Sequence, residues 1–316
     1  MNDDAGMRTV REVFDELQID AEWSKWSDRG FTWWPHRLAQ RVWSEVPRED
    51  HGFIVTRVNS ETDLFSVEAQ DWRQAAPAFE TASQFASMSG FLWSDGVVRL
   101  RCSMWVHDEN QAWVSRVFRV ATMAQGVSAE DTVVQADQLT PHESGTRTAP
   151  DDMLNAVEGL PGRDESSAWV GNEMETVAQM LSSNGVMSIG TQNGLTAEFP
   201  YGKHGGTAVL GGTSNLLRVS TEDRHPSLGS GMLMRLSLQE HPSHEGERLG
   251  ATRLNQLELQ DGCQSHFLGS WCANPSGGPP DFVSFLPNIL RAANLLTNLV
   301  MSMGIRSRWA SDSFSG

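Results

Sequence analysis

Residues 263–309 run CQSHFLGSWCAN (263–274), a Gly/Pro turn SGGPP (276–280), DFVSFLPN (281–288) and ILRAANLLTNLVMSMGIRSRW (289–309). The first piece holds a short apolar run, 266–271, of strand-favouring residues. The second, 282–286, is another, and it must stop at Pro287, which has no N–H for a ladder. From Ile289 the apolar positions Ile289, Leu290, Ala293, Leu296, Val300 and Met303 recur every three or four residues, the spacing of an amphipathic helix. Leu290, Leu296 and Val300 are expected on its buried face, and Asn294 and Asn298 on its exposed side. Arg306 and Arg308 stand where cations complement a helix C-terminus, and with Trp309 they read as a helix end docking onto its sheet. The chain therefore closes as hairpin, corner, helix.

The same grammar occurs about 165 residues earlier. There FLW (91–93), the turn SDG and VVRLRCSMWV (97–106) are followed by a helical WVSRVFRVATMAQ (113–125). Val98, Leu100, Cys102, Met104 and Val106 alternate with polar residues, as in a half-buried strand. Working outward, 1–20 predicts a helix with Val10, Val13, Phe14 and Leu17 on one face. FTWWPHRLAQRVWSEV (31–46) predicts a helix with Pro35 at its first position. FIVTRV (53–58) and LFSVEA (64–69) read as a hairpin over NSET, and 75–90 as a helix from Pro77 stopped by Gly90. In the second half come a helix over 172–185, a hairpin of VMSIG and LTAEF about TQNG, and the strands LLRVS and GMLMRLSLQ. A polar loop EHPSHEGE and a helix over 248–260 follow. Each half thus offers helix, strands, helix, two strands, helix. The expected fold class is α+β: two tandem modules, each an antiparallel sheet packed with helices. The expected boundaries are a Trp-rich module at 1–136, a linker at 137–168 carrying Pro141, Pro150 and Pro161 with a short helix near 153–157, and a second module at 169–316.

Composition bounds the function. The chain has 316 residues and a net charge of −16, from 40 acidic and 24 basic residues. That argues against nucleic acid or anionic membranes as the main partner, because phosphate binding needs clustered Lys and Arg. It suits a protein that handles basic or apolar polypeptides. MNDDAGMRTV lacks the basic start and apolar core of a signal peptide, and no apolar run reaches the roughly 20 residues of a membrane span. The expected location is cytoplasmic. Cys102, Cys263 and Cys272 form no CxxC and read as buried thiols.

No catalytic motif assembles. His241 and His244 in HPSHE, with Glu240, Glu245, Glu247 and the upstream His225, have zinc-compatible residue types. HEXXH spacing is absent, however, and Pro242 breaks any helix, so the reading is a solvated loop. YGKHGGT lacks the order of a phosphate loop, and no G-x-S-x-G elbow occurs. Asp63, Asp95, Asp108 and Glu109 read as turn residues. The chain is therefore read as a non-enzyme with no cofactor, no metal and no catalytic residue. Nine of the twelve tryptophans precede residue 120. They read as core, with Trp33, Trp34, Trp43, Trp72 and Trp93 as candidate partner-binding residues, since tryptophan also lines ligand grooves.

The order helix, strands, helix, two strands, helix, closing on FLPN and a long helix ending RSRW, resembles the type III secretion chaperone-like fold, including the bacterial YbjN-like proteins. The resemblance is one of element order and covers 170–309 better than 35–130. It implies small acidic α+β modules that bind polypeptide segments and do no chemistry, and no site residue is carried over. Those proteins pair as homodimers. Two modules in one chain imply a pseudo-dimer, monomeric overall. The leading expectation is a chaperone-like or regulatory protein that binds a protein or peptide through an apolar groove or sheet edge. Its alternatives are a small-molecule sensor or enzyme with a Trp-lined pocket, and an immunity-type protein neutralising a basic toxin.

Overall fold

The computed structural model describes residues 4–35, 37–85, 87–136, 139–142, 169, 171–200, 214–241, 243–244, 247–260, 263–291 and 294–314. It is an α+β protein with six α-helices and two main antiparallel sheets among these residues. Two compact units divide the chain. The first takes the described residues within Met1–Ala76, Ala86–Leu160 and His266–Leu268; the second takes those within Pro77–Phe85, Pro161–Ser265 and Gly269–Gly316. A single cut in the sequence does not separate them, because 77–85 counts with the second unit and 266–268 with the first. Most of the expected linker, 143–168, and its short helix lie outside the described residues.

In the first unit α1 (Ala5–Glu16) begins at Asp4, whose carboxylate accepts from the Met7 N–H at 3.0 Å. Strands β1 (Ser24–Ser27), β2 (Gly30–Trp33), β3 (Gln40–Ser44), β4 (Arg48–Asp50) and β5 (Phe53–Ser66) follow. Then come α2 (Ala69–Ala82), whose residues from Pro77 count with the second unit, β6 (Gly90–Ser94), β7 (Val97–Val106) and α3 (Gln111–Gln135). The sheet order is β1-β2-β3-β5-β7-β6, with β4 also paired to β5. The β7 alternation is as expected: Val98, Leu100, Cys102, Met104 and Val106 are all buried.

Three expectations for this half are corrected. The helix expected from Pro35 is absent; the segment forms β2 and β3, where Phe31, Trp33, Gln40, Val42 and Ser44 alternate inward. Over so few residues the period of two and the helical period are hard to separate. The hairpin expected over NSET is one 14-residue strand, β5, and Asp63 sits in it rather than at a turn. Ser60 and Thr62 stay in the core because α3 supplies Gln125, whose Oε1 accepts from Ser60 Oγ (2.8 Å), Thr62 Oγ1 (3.2 Å) and Gln40 Nε2 (2.8 Å). The α2 helix starts at Ala69, with Pro77 inside it, and Gly90 opens β6.

The second unit runs α4 (Gly171–Ser183), β8 (Met187–Thr191), β9 (Gly194–Pro200), β10 (Ser214–His225), β11 (Gly229–Ser237), the short pair β12 (Ser243–His244) and β13 (Glu247–Arg248), α5 (Ala251–Gln260), β14 (Ser270–Cys272), β15 (Asp281–Pro287) and α6 (Leu295–Phe314). Its sheet order, β14-β15-β11-β10-β9-β8, has the same connectivity as the first: four strands in sequence, then the last strand, then the one before it. The repeat is therefore one of topology, with β8 standing where β1 stands. Strand β15 ends at Pro287 and pairs with β14 through Ser270↔Val283 and Trp271↔Phe282. Leu290, Leu296 and Val300 are buried, Asn294 is exposed and Asn298 is half-buried. The helix does not run unbroken from Ile289: a 3-10 turn at Asn288–Leu290 precedes α6.

Arg306 is not at a helix end. It lies inside α6, 1% exposed, and pairs with Glu258 of α5, 2% exposed, at 2.7 Å. Glu258 also accepts from Trp271 Nε1 (2.8 Å) and Ser265 Oγ (2.8 Å), and the guanidinium lies 3.5 Å from the Phe282 ring centre. Burial pushes the Cys263 thiol to about 11 and the Cys102 and Cys272 thiols to about 12, so all three stay protonated at neutral pH. No helix among the described residues is long and apolar enough to cross a membrane.

Candidate functional site: an inside-out edge strand

In a strand with one face on a core, apolar side chains turn inward. The neighbouring β9 obeys: Leu195, Ala197 and Phe199 are buried, while Thr196 faces solvent. Strand β8, MSIGT, is inverted. Met187 and Ile189 are each 69% exposed, whereas Ser188 and Gly190 face α4. The packing against α4 explains which side each residue takes. A Cβ on Gly190 would come within 2.6 Å of the Met174 carbonyl oxygen, so only glycine permits this approach of strand to helix. Ser188 Oγ donates to the Ala178 carbonyl at 2.7 Å and sits 2.9 Å from Ser182 Oγ. Two small residues thus hold β8 close to the helix and leave its two large apolar side chains outside.

The β8–β9 hairpin fixes the register, Met187↔Glu198 to Thr191↔Gly194. Asn193-Gly194 does mark this hairpin, but none of the described positive-φ residues lies in its turn. Gly194 is needed for another reason, since a Cβ there would meet the Val219 carbonyl oxygen at 2.4 Å.

Strand β8 is the last of its sheet, and no described strand pairs with its outer edge. Alternate residues of such an edge present unpaired N–H and C=O groups. Beside it runs an open groove of ≈590 Å³, lined by Glu175, Gln179, Ser182 and Ser183 of α4 and by Ser188 and Gly190 of β8. The four helix residues are exposed and lie along one face, while Met174, Val177 and Leu181 of the same helix are buried.

The equivalent strand of the first unit is a control within the same chain. Strand β1, SKWS, carries the charged Lys25. Its Trp26 is held at 5.0 Å from Phe14 and 5.4 Å from Phe31, with the Arg11 guanidinium at 5.8 Å. A charged side chain on an edge strand is a device that keeps it from pairing. Strand β8 carries none.

The five tryptophans singled out in the sequence do not line one surface. Trp33 is buried on the helix side of its sheet, and Trp34 is half-buried after β2. Trp43 lies on the opposite face, 5.1 Å from the Arg101 guanidinium. That face is a charged ladder in which Arg41 and Arg99 pair with Asp63 at 2.8 Å each and Arg57 with Glu45 at 2.7 Å. Trp72 and Trp93 are stacked at 5.4 Å, with Trp93 Nε1 donating to the Val67 carbonyl at 3.1 Å. Among the described residues no three His, Cys, Asp or Glu side chains form a metal-sized group. The His244 side chain, the neighbouring Glu245 and the glycine-rich 201–213 lie outside the described residues. His225 is buried: its Nε2 donates to the Phe85 carbonyl at 2.8 Å, and its Nδ1 accepts from the N–H groups of Ser227 and Leu228. It is therefore a packing residue.

Comparison with known protein families, with curated proteins and with solved structures found no match to this chain.

Proposed function

We propose that this is a non-enzymatic, cytoplasmic polypeptide-binding protein, chaperone-like or regulatory, that captures an extended segment on the free edge of β8. The inverted strand carries this reading. Exposing Met187 and Ile189 forgoes about 1.5–3 kcal/mol of burial per side chain, a loss a partner strand recovers. Adding a strand to a sheet edge beside a helix takes its affinity from backbone hydrogen bonds and its selectivity from alternate side chains. Both are on offer here: an unpaired edge, and a groove floored by Ser188 and Gly190. The resemblance to the chaperone-like proteins supports the same class of activity.

An array of short unstructured peptides, probed with the intact protein, tests the proposal. The wild type is expected to retain a subset of peptides, and Ser188→Pro is expected to lose them. In the β8–β9 register the Ser188 N–H faces the free edge, and proline there removes it and blocks strand addition. Because Ile189 is exposed, Ile189→Lys is the companion variant whose melting temperature should match the wild type. Retention of the same peptides by both variants would place binding elsewhere.

A further inference from the structure

The two sides of an added strand would meet different chemistry, which defines the partner. Side chains on one side would lie beside Met187 and Ile189, and those on the other over Glu175, Gln179, Ser182 and Ser183. The first surface is apolar. The second is polar and carries one carboxylate, Glu175, and among the described residues no lysine or arginine lines it. On the apolar side the residue opposite Met187 is Glu198, again a carboxylate, while the exposed Arg218 sits on β10, two strands in from the edge.

We infer that the β8 edge takes an extended cationic segment in which apolar residues alternate with lysine or arginine, the basic side chains lying along α4. This inference rests on the strand-capture reading above. Charge complementarity decides between occupants. A chain of net charge −16 attracts cationic segments over the Debye length, about 8 Å at physiological salt, and repels acidic ones. A second copy is disfavoured on the same ground. Pairing β8 with β8 of another copy would bring together two bodies of −16 and place like carboxylates, Glu175 and Glu198 among them, around the joint.

Four fluorescent peptides of equal length test this on the full chain by anisotropy: alternating Val/Lys, alternating Val/Gln, alternating Val/Glu, and a Val/Lys composition in two blocks. The expected order is Val/Lys tightest, Val/Gln about tenfold weaker, and Val/Glu and the block peptide unbound. Salt should weaken Val/Lys but not Val/Gln. Glu175→Lys should reduce Val/Lys binding about tenfold and leave Val/Gln unchanged, while Ile189→Lys should abolish both. If Val/Gln binds as tightly as Val/Lys and is lost in Ile189→Lys, the charge inference falls and strand capture stands. If no alternating peptide binds, strand capture falls and takes the inference with it. Sedimentation that shows a dimer dissociated by Ile189→Lys would give the edge to a second copy and overturn the proposal.

Discussion

Arg306→Met is expected to destabilise the second unit by about 3–5 kcal/mol, read as a lowered denaturant midpoint with unchanged slope. The substitution roughly preserves volume, so the loss is electrostatic rather than a cavity. Glu258 would remain 2% exposed with Trp271 and Ser265 as donors but no cation. Glu258→Leu should cost a similar amount, leaving the Arg306 guanidinium against Phe282 without its carboxylate. The double variant Glu258→Leu/Arg306→Met should recover much of the loss, because two apolar side chains replace a pair whose desolvation nearly cancels its attraction. Additive single-variant costs would contradict this account of the pair. A loss of that size is a large share of a domain stability of roughly 5–15 kcal/mol.

The second large effect concerns segments 77–85 and 266–268. A chain beginning at residue 169 lacks Phe79, which is 5% exposed, and Glu80, whose Oε1 accepts from the Thr252 N–H at 3.3 Å at the start of α5. It also lacks the Glu80 carbonyl that accepts from Ala273 N–H at 3.0 Å and the Phe85 carbonyl that accepts from His225 Nε2–H at 2.8 Å. Burial pushes the Glu80 pKa up, and the backbone N–H groups of Thr252 and Ala251 hold it down. Losing a buried phenylalanine typically costs about 3–5 kcal/mol, before the hydrogen bonds are counted. A chain ending at residue 136 likewise lacks Phe267, 1% exposed and doubly hydrogen-bonded to Ser103, and His266, whose Nδ1 accepts from the Trp105 N–H. Expressed alone, 1–136 and 169–316 are each expected to lack a sharp melting transition. A synthetic peptide of 77–85 should raise the melting temperature of 169–316. Two independently stable halves with full-length melting temperatures would contradict the exchange of segments.

Much of the fold was legible because long periodic elements announce themselves. The alternation of 98–106, the helical spacing of 113–125 and the stop at Pro287 all reappear in the structure. Short elements with polar interiors were not. Ser60 and Thr62 look like a turn until Gln125 arrives from 63–65 positions away to satisfy them. Arg306 looks like a helix-end cation until α5 delivers Glu258. The edge site escaped for a related reason. MSIGT alternates like an ordinary strand, and a period of two does not say which side faces the core. That choice is made by Gly190 and Ser188 fitting α4, which is visible only once strand and helix meet. Aromatic composition instead pointed to the tryptophans, which the fold distributes over both faces of the first sheet.

Hydrogen exchange on the full chain, with and without the alternating Val/Lys peptide, tests strand capture most directly. The account predicts that bound peptide slows exchange at Ser188 and Gly190, whose N–H groups face the free edge, and leaves 90–94 around Trp93 unchanged. Protection centred on Trp72 and Trp93, or none at β8 while peptide is bound, would contradict it.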